Sequence, residues 1–446
     1  MEDAGVVLGI AIAPMLLCAG YGILATTVNN RATLPLQLRI FVVAFSIRFF
    51  AALLIYEFGL NRVLQDEDAS GWRYGESLRI QWAGEQKSIF DFPVLFLRSY
   101  GEHHRGYYYL LGMLFHVLGD ASRLAAAALN CFIGSLVVVI NYRVAYALFS
   151  PSIARRVGWW ACWFPSLVVW SAQTIKEPAV ILLESVALYG CVRLRCSGMS
   201  FRHVALIAVA IVLMWPFRFY ATYITLGAVL LALLTPRTAV ASRNRKGLTV
   251  PGALLVVGAM LAIAVWLVPW ETQIEQYDLQ FIQRFRKNVA TDQGSGLFLD
   301  LDLQSPSGFG LAFLVGFAHL LWAPFPWQLA SGSTRMLLVA PEMVLWWWLF
   351  IVGVIPGLRY SLKHRFWDVQ PLLIFILGMS LLYSVIFANV GLVYRQRAQL
   401  LPWLLIFAAV GLELRWRGQF GSTGHFPRVA KVNQPQCGRS DLANSS

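Results

Sequence analysis

Charge is what this chain has least of. Only 13% of its 446 residues are Asp, Glu, Lys or Arg, against about 25% in a soluble globular domain. With 58% hydrophobic residues there is too little polar surface to coat a water-soluble particle of this size, and lipid is the natural solvent. Acid is scarcer still, with 23 Asp and Glu against 36 Lys and Arg. A surplus of that size suggests nucleic acid. The basic residues, however, stand in short clusters between apolar runs, which is the pattern of membrane topology. No nucleic-acid partner is expected.

Other absences narrow the class further. The six cysteines, Cys18, Cys131, Cys162, Cys191, Cys196 and Cys437, fall outside every segment placed beyond the membrane and show no zinc-type spacing, so neither a disulfide framework nor a zinc site is implied. The N-terminus carries Glu2 and Asp3 where a secretory signal carries Lys or Arg. It reads as a retained first helix with its N-terminus outside. No inverted internal repeat of the transporter kind stands out.

What is present is a series of apolar runs at 5–25, 38–60, 121–148, 157–175, 178–192, 204–217, 219–235, 248–269, 341–358, 367–389 and 398–414. Most are near the roughly 17–25 residues that a spanning helix needs. Lys and Arg orient them. Arg31 and Arg39, Arg155 and Arg156, Arg193, Arg195 and Arg202, Arg237 to Lys246, Arg359 to Arg365, and Arg415 with Arg417 all fall on one side if the N-terminus is outside and the C-terminus cytoplasmic. The stretches 107–118 and 309–323 break this alternation if counted as spans. They read instead as helices lying along the outer membrane surface. The expected fold is all-α, a polytopic transmembrane bundle of about 11–13 helices with amphipathic juxtamembrane helices in the first outer loop.

The expected organisation is an extra N-terminal helix and cytoplasmic loop at 1–37, a core at 38–269 with a first outer loop at 61–120, a second outer loop with a surface helix at 270–340, C-terminal transmembrane helices at 341–414, and a disordered cytoplasmic tail at 415–446.

The residues that carry chemistry gather on the outer side. The first outer loop opens with Asp66, Glu67 and Asp68, which are either a solvated loop start or a catalytic set. Glu177, between Lys176 and Pro178, sits at a helix N-terminus, where Pro suits the first turn and the dipole favours a carboxylate. Basic residues appear outside against the usual bias: Arg105 after His103 and His104, Lys176, and Arg395 and Arg397 after Tyr394. They either pair with nearby acids or receive an anionic headgroup, since guanidinium forks match phosphate oxygens. Arg218 sits at an outer turn and can join them. Arg48 and Glu184 lie deep in their spans, where charge is costly, and read as a structural pair. Carboxylates for base or metal duty beside cations for phosphate suit a sugar carried on a polyprenyl phosphate. Its leaving phosphate needs stabilising and its acceptor must lose a proton.

At these residues the chain resembles the C-type glycosyltransferase superfamily, and especially the bacterial relatives of protein O-mannosyltransferases and of the lipid A aminoarabinose transferase. Asp68 to Trp72 resembles the acid-containing start of the family's first outer loop, and His104 to Tyr109 its basic-then-aromatic entry to a surface helix. Arg123 to Phe149 with Phe164 to Pro178 is similar to its paired helices ending at a second outer acid, and Tyr394 to Arg397 with Pro402 to its closing Arg-rich turn. The resemblance spans most of 38–415. It implies a membrane enzyme with a polyprenyl-phosphate-linked sugar donor, inversion at the sugar carbon, and a glycan, lipid or protein acceptor. It further implies Asp68 as the first-loop acid or base, Glu177 as its partner, and Arg105 on the lipid phosphate, supported by Arg395 and Arg397. Three acids and Trp72 stand where the family often has an acid pair and Tyr, and the second acid is Glu rather than Asp. These departures leave open which first-loop acid acts and whether a divalent metal is needed, for which His103, His104 and Asp68 are the possible ligands. Two alternatives remain: a polysaccharide polymerase or ligase using a lipid-linked glycan, and a lipid-glycan transporter.

Overall fold

The computed structural model describes residues 2–28, 30–60, 68–101, 105–198, 200–235, 258–259, 279–292, 301–329 and 334–416. The basic cluster at 237–246 lies outside these residues, as do the expected span at 248–269 except 258–259 and the tail except 415–416. Every regular element described is helical. In hydrocarbon a chain must satisfy its own peptide groups, and long apolar runs therefore form helices.

The elements are α1 (Glu2–Thr27), α2 (Leu34–Glu57), α3 (Asp68–Gly84), α4 (Phe92–Arg98), α5 (Gly106–Leu118), α6 (Arg123–Leu148), α7 (Pro151–Trp163), α8 (Pro165–Ser171), α9 (Glu177–Ser197), α10 (Phe201–Leu234), α11 (Leu279–Asp292), α12 (Pro306–Trp322), α13 (Pro326–Leu329), α14 (Thr334–Leu349), α15 (Ile355–His364), α16 (Phe366–Ile386), α17 (Val390–Arg397) and α18 (Leu401–Trp416). Six stretches among the described residues are long and apolar enough to cross a membrane, and a seventh is the pair α17 and α18, bent by 65°. The fold is an all-α polytopic bundle.

Side-chain contacts sort the helix ends into two poles. At one, Arg143 donates to Gln37 at 2.7 Å and to Thr27 at 2.9 Å. Arg195 reaches the carbonyl of Trp367 at 2.8 Å and Thr235 at 3.2 Å. Arg156 pairs with Glu413 at 2.9 Å, and the Arg365 guanidinium lies over the Phe149 ring. These contacts join the ends of α1, α6, α9, α10 and α18 to the starts of α2, α7 and α16, where the described basic clusters stand. At the other pole the Tyr56 and Thr174 hydroxyls bond at 2.8 Å, tying the end of α2 to the turn before α9.

α10 covers 34 residues and contains a break, with Arg218 at φ −163° and ψ 83°. Thr225 Oγ1 lies 3.9 Å from Met214 Sδ, whereas eleven residues of straight helix would hold them roughly 16 Å apart. The halves therefore fold back on each other, as the separate runs 204–217 and 219–235 require. Pro216 sits just before the break, and a proline costs its helix one bond of the ladder.

The expected Arg48–Glu184 pair does not form. Arg48 donates to the carbonyls of Ala161 at 2.9 Å, Cys162 at 3.2 Å and Ala44 at 3.1 Å. The span 157–175 is broken into α7 and α8 at Phe164 and Pro165. Pro165 has no N–H to offer Ala161, and Arg48 takes that role. Such a carbonyl left open in an apolar interior is costly. Glu184 instead faces Gln399 and Arg218 on a different side of the bundle.

The first outer loop is folded rather than open. α5 coincides with the expected 107–118 helix. α3 is a further first-loop helix, in a stretch with little apolar periodicity. The two pack through glycines: a Cβ on Gly75 would sit 2.8 Å from Leu111, and one on Gly112 3.0 Å from Trp82. α12 packs against α16, with Gly316 directly on the Ser384 carbonyl, and its last carbonyls accept from the indoles of Trp346 at 2.6 Å and Trp347 at 2.8 Å. Near the basic pole, Gly353 and Gly357 cross Ala408 and Gly411 at backbone contact, the small-residue crossing that membrane helices favour.

Two outcomes are expected. Gly357→Val drives a side chain into the Phe407 carbonyl, so the monodisperse peak in detergent size-exclusion chromatography should be lost. Arg48→Met opens the Ala161 and Cys162 carbonyls, at about 1–3 kcal/mol each, and should lower the thermal midpoint. Arg48→Lys should recover part of the loss, and an unchanged midpoint for Arg48→Met would remove the capping role.

Candidate functional site

The site is built on the turn between α8 and α9. Asn130 on α6 holds it, donating from Nδ2 to the carbonyls of Gln173 at 2.6 Å and Ile175 at 2.8 Å, and lying 2.9 Å from the Tyr107 hydroxyl. Pro178 takes an early position of α9, which its fixed φ suits. Glu177 is thereby fixed at the helix start, 1% exposed.

Two guanidiniums share one of its oxygens. Arg218 Nη2 is 2.9 Å from Glu177 Oε1, and Arg395 Nε is 3.1 Å from the same atom. The break in α10 aims Arg218 here. Arg395 comes from α17, whose start is capped by Asn389 accepting from Leu392 N at 3.1 Å. Arg218 also donates to Gln396 and to the Tyr383 hydroxyl, 3.3 Å away. The Gln399 amide nitrogen, turned to satisfy both neighbours, bonds Glu184 Oε1 at 3.0 Å. Glu184 lies two turns along α9 from Glu177, on the same face.

Taken by themselves, Glu177, Arg218 and Arg395 carry one negative and two positive charges, with Lys176 adjacent in sequence and Glu184 facing Arg218 from deeper along α9. The group is buried, with Arg218 1% and Arg395 6% exposed, so its field is little screened. Arg218 Nε has no partner. The arrangement can receive an anion. It leaves Glu177 poorly suited to act as a base, because its charge is already shared by two cations.

The other expected residues distribute as follows. Asp66, Glu67, His103 and His104 lie outside the described residues, as does the side chain of Asp68. The backbone of Asp68 begins α3, and one turn on, a Cβ at Gly71 would stand 3.5 Å from the Thr174 carbonyl. The start of α3 therefore adjoins the Glu177 turn. Arg105 is exposed, donates to the Tyr74 hydroxyl at 2.7 Å and lies over its ring. Its neighbour Gly106 packs on the Pro216–Phe217 backbone, with a Cβ there 2.9 Å from the Pro216 carbonyl carbon, so the segments bearing Arg105 and Arg218 touch. Lys176 is half-buried.

Tyr394 and Arg397 face a second centre. Tyr394 donates to Glu342 Oε2 at 2.8 Å, and Ser166 donates to the other oxygen of the same carboxylate. Arg397 spends its guanidinium on the Ala323 carbonyl at 2.9 Å and on Met343 Sδ at 3.1 Å, between the Trp346 and Tyr394 rings. Glu342 was not singled out from sequence. The signal was an acid inside an apolar run, which is costly without partners. Gln396, Gln399 and Tyr383 had no signal beyond polarity. Among the described residues no group of three or more His, Cys, Asp or Glu is placed to hold a metal ion.

No family model and no curated protein matches the chain. Among solved structures it is similar to an oligosaccharyltransferase of Archaeoglobus fulgidus, crystallised with a tethered acceptor peptide, at 15% identity and a TM-score of 0.39. The match covers 70% of this chain and 41% of that one, so the chain spans well under half of that protein.

Glu177→Gln leaves two buried guanidiniums uncompensated, a change that costs about 3–5 kcal/mol in comparable buried pairs. The thermal midpoint of the purified protein should fall markedly, and Glu177→Asp should fall less. Equal midpoints for all three forms would show that the carboxylate does not hold the arginines.

Proposed function

We propose that this protein is an integral membrane glycosyltransferase that moves a sugar from a polyprenyl-phosphate-linked donor to a glycan, lipid or protein acceptor. The site would face the periplasm or exterior of a plasma (inner) membrane. The observation that carries the reading is the buried, positively charged Glu177–Arg218–Arg395 group at the pole opposite the basic clusters, beside the start of the acid-led helix α3. Its polar position favours a transferase over a transporter, whose site belongs near the midplane.

In this reading an acceptor O–H or N–H attacks the sugar carbon as the carbon–oxygen bond to phosphate breaks, with inversion. The polyprenyl phosphate leaves with the bonding pair. Arg218 and Arg395 stabilise the charge that develops on it, and Arg105 receives the lipid phosphate at the rim. The acceptor's proton passes to a first-loop carboxylate, Asp68 first among Asp66, Glu67 and Asp68. Glu177 is then a positioning residue that holds the two arginines. Lys176 and His104 border the donor site in this reading. Tyr394 and Arg397, turned to the Glu342 centre, brace α17 so that Arg395 points at Glu177.

The test is mass spectrometry of envelope glycans, lipids and proteins from cells with and without the gene, complemented with wild type or Asp68→Asn. A sugar modification should vanish with the gene, return with wild type and stay absent with Asp68→Asn at equal membrane abundance. No difference without the gene, or full restoration by Asp68→Asn, would sink the reading. Orientation is checked separately by single cysteines in a background lacking the native ones. Arg105→Cys should react with an impermeant maleimide added outside, and Lys363→Cys should react only after permeabilisation.

A further inference from the structure

At the basic pole several cations are answered. Arg156 pairs with Glu413 and Arg365 with Asp368, and Arg195 bonds Thr235 and the Trp367 carbonyl. One cluster is not. It stands where the ends of α6 and α9 meet the start of α10, and it consists of Arg143, Arg193, Arg202 and His203. α9 and α10 approach closely there. A Cβ on Gly190 would stand 3.2 Å from the His203 carbonyl oxygen, and the Tyr189 and His203 rings meet edge to face at 6.2 Å. Arg193 follows Tyr189 by one helical turn. Arg202 lies near enough to act electrostatically on both Arg143 and His203, and Arg193 on His203.

Among the described residues no carboxylate pairs with any of the four, and their donors are incompletely used. Arg143 spends Nε on Gln37 and Nη1 on Thr27, while its Nη2 is buried without a partner. Arg193 Nε and His203 Nδ1 are likewise buried and unpartnered, with His203 only 8% exposed. Arg202 is exposed and Arg193 half-buried, so these two guanidiniums are open to a ligand from outside the bundle. Topology accounts for cations in solvated loops. It does not gather three guanidiniums around a buried histidine with no acid between them. Water satisfies single donors but leaves that charge in place.

Depth narrows the anion. α6 has 26 residues and is therefore roughly 39 Å long, against about 30 Å of hydrocarbon, so its ends reach into the headgroup layers. Arg143 and Arg193 stand five and four positions before the ends of their helices, and Arg202 and His203 lie in the first turn of α10. All four are thus near the level of lipid phosphates. Phe201, 87% exposed, sets an apolar ring beside Arg202 at the same level. Basic pockets between spanning helices take anionic headgroups, and guanidinium forks match phosphate oxygens.

We propose that an anionic phospholipid of the leaflet at the basic pole seats its phosphate diester between α6, α9 and α10, held by Arg193 and Arg202 with Arg143 and His203 behind them. The lipid neutralises the cluster and fastens α9 and α10 to α6 and, through Arg143, to the turn between α1 and α2. The assignment does not depend on what the opposite pole transfers.

The test uses the purified full-length protein in detergent at constant ionic strength, with phosphatidylglycerol, phosphatidylcholine or inorganic phosphate titrated in while the thermal midpoint is recorded. Wild type should show a saturable rise with phosphatidylglycerol and none with phosphatidylcholine or inorganic phosphate. Arg193→Gln and Arg202→Gln should each weaken the apparent phosphatidylglycerol affinity by about tenfold. Arg359→Gln, which removes the same charge elsewhere at that pole, should leave it unchanged. Should Arg193→Gln fail to fold, Arg202→Gln alters only an exposed side chain. A wild-type midpoint indifferent to phosphatidylglycerol, an equal rise with phosphatidylcholine or inorganic phosphate, an undiminished response in Arg202→Gln, or an equal loss in Arg359→Gln overturns the assignment.

Discussion

A carboxylate bound to two guanidiniums at one oxygen is the constraint on which the candidate site depends. Glu177 accepts a hydrogen bond from Arg218 and forms an ion pair with Arg395 while almost wholly buried. Each partner comes from a different part of the chain, and each is aimed by a local departure from regular helix. Arg218 sits at the break of α10, Arg395 on the short capped helix α17, and Glu177 at the proline-led start of α9. Removing any one of the three charges leaves the others in a low-dielectric interior, where the penalty is large.

The packing around this group serves the same end. Asn130 fixes the turn that presents Glu177. Gly71 and Gly106 let the first-loop helices approach that turn and the α10 break. The Glu342–Ser166–Tyr394 centre, with Arg397 alongside, holds α17 from its other face. Two adjacent polar centres thus brace one eight-residue helix, and its arginines point to opposite sides. At the basic pole the Arg156–Glu413 and Arg365–Asp368 pairs are only partly buried, and pairs open to solvent contribute less each.

Much of this was legible in the sequence, because lipid imposes a simple grammar. Apolar runs and basic clusters located the helices, and their alternation separated the two poles. Glu177 was found because a helix-start acid before proline is a local pattern, and Arg218 because a charge at an interrupted apolar run is costly. What could not be read is set by three-dimensional direction. Arg395 and Arg397 are two residues apart, and only the orientation of a short helix decides which meets Glu177. Arg48 resembled a partner for Glu184 by depth alone. The missing N–H of Pro165, 117 positions away in the chain, is what it answers. The bounds of α3 are not legible in the sequence because its packing rests on glycines meeting aromatic and aliphatic side chains rather than on an apolar stripe.

The central claim is that Arg218 and Arg395, held by Glu177, form an anion site for a lipid-borne phosphate. The most direct measurement is an experimental structure of the full chain with a short polyprenyl monophosphate in a lipid nanodisc. Phosphate density is expected within hydrogen-bonding distance of Arg218 or Arg395, with its lipid tail leaving toward the membrane near the start of α3. Phosphate bound at the basic pole, or bound elsewhere on the chain with both arginines still closed on Glu177, would contradict it.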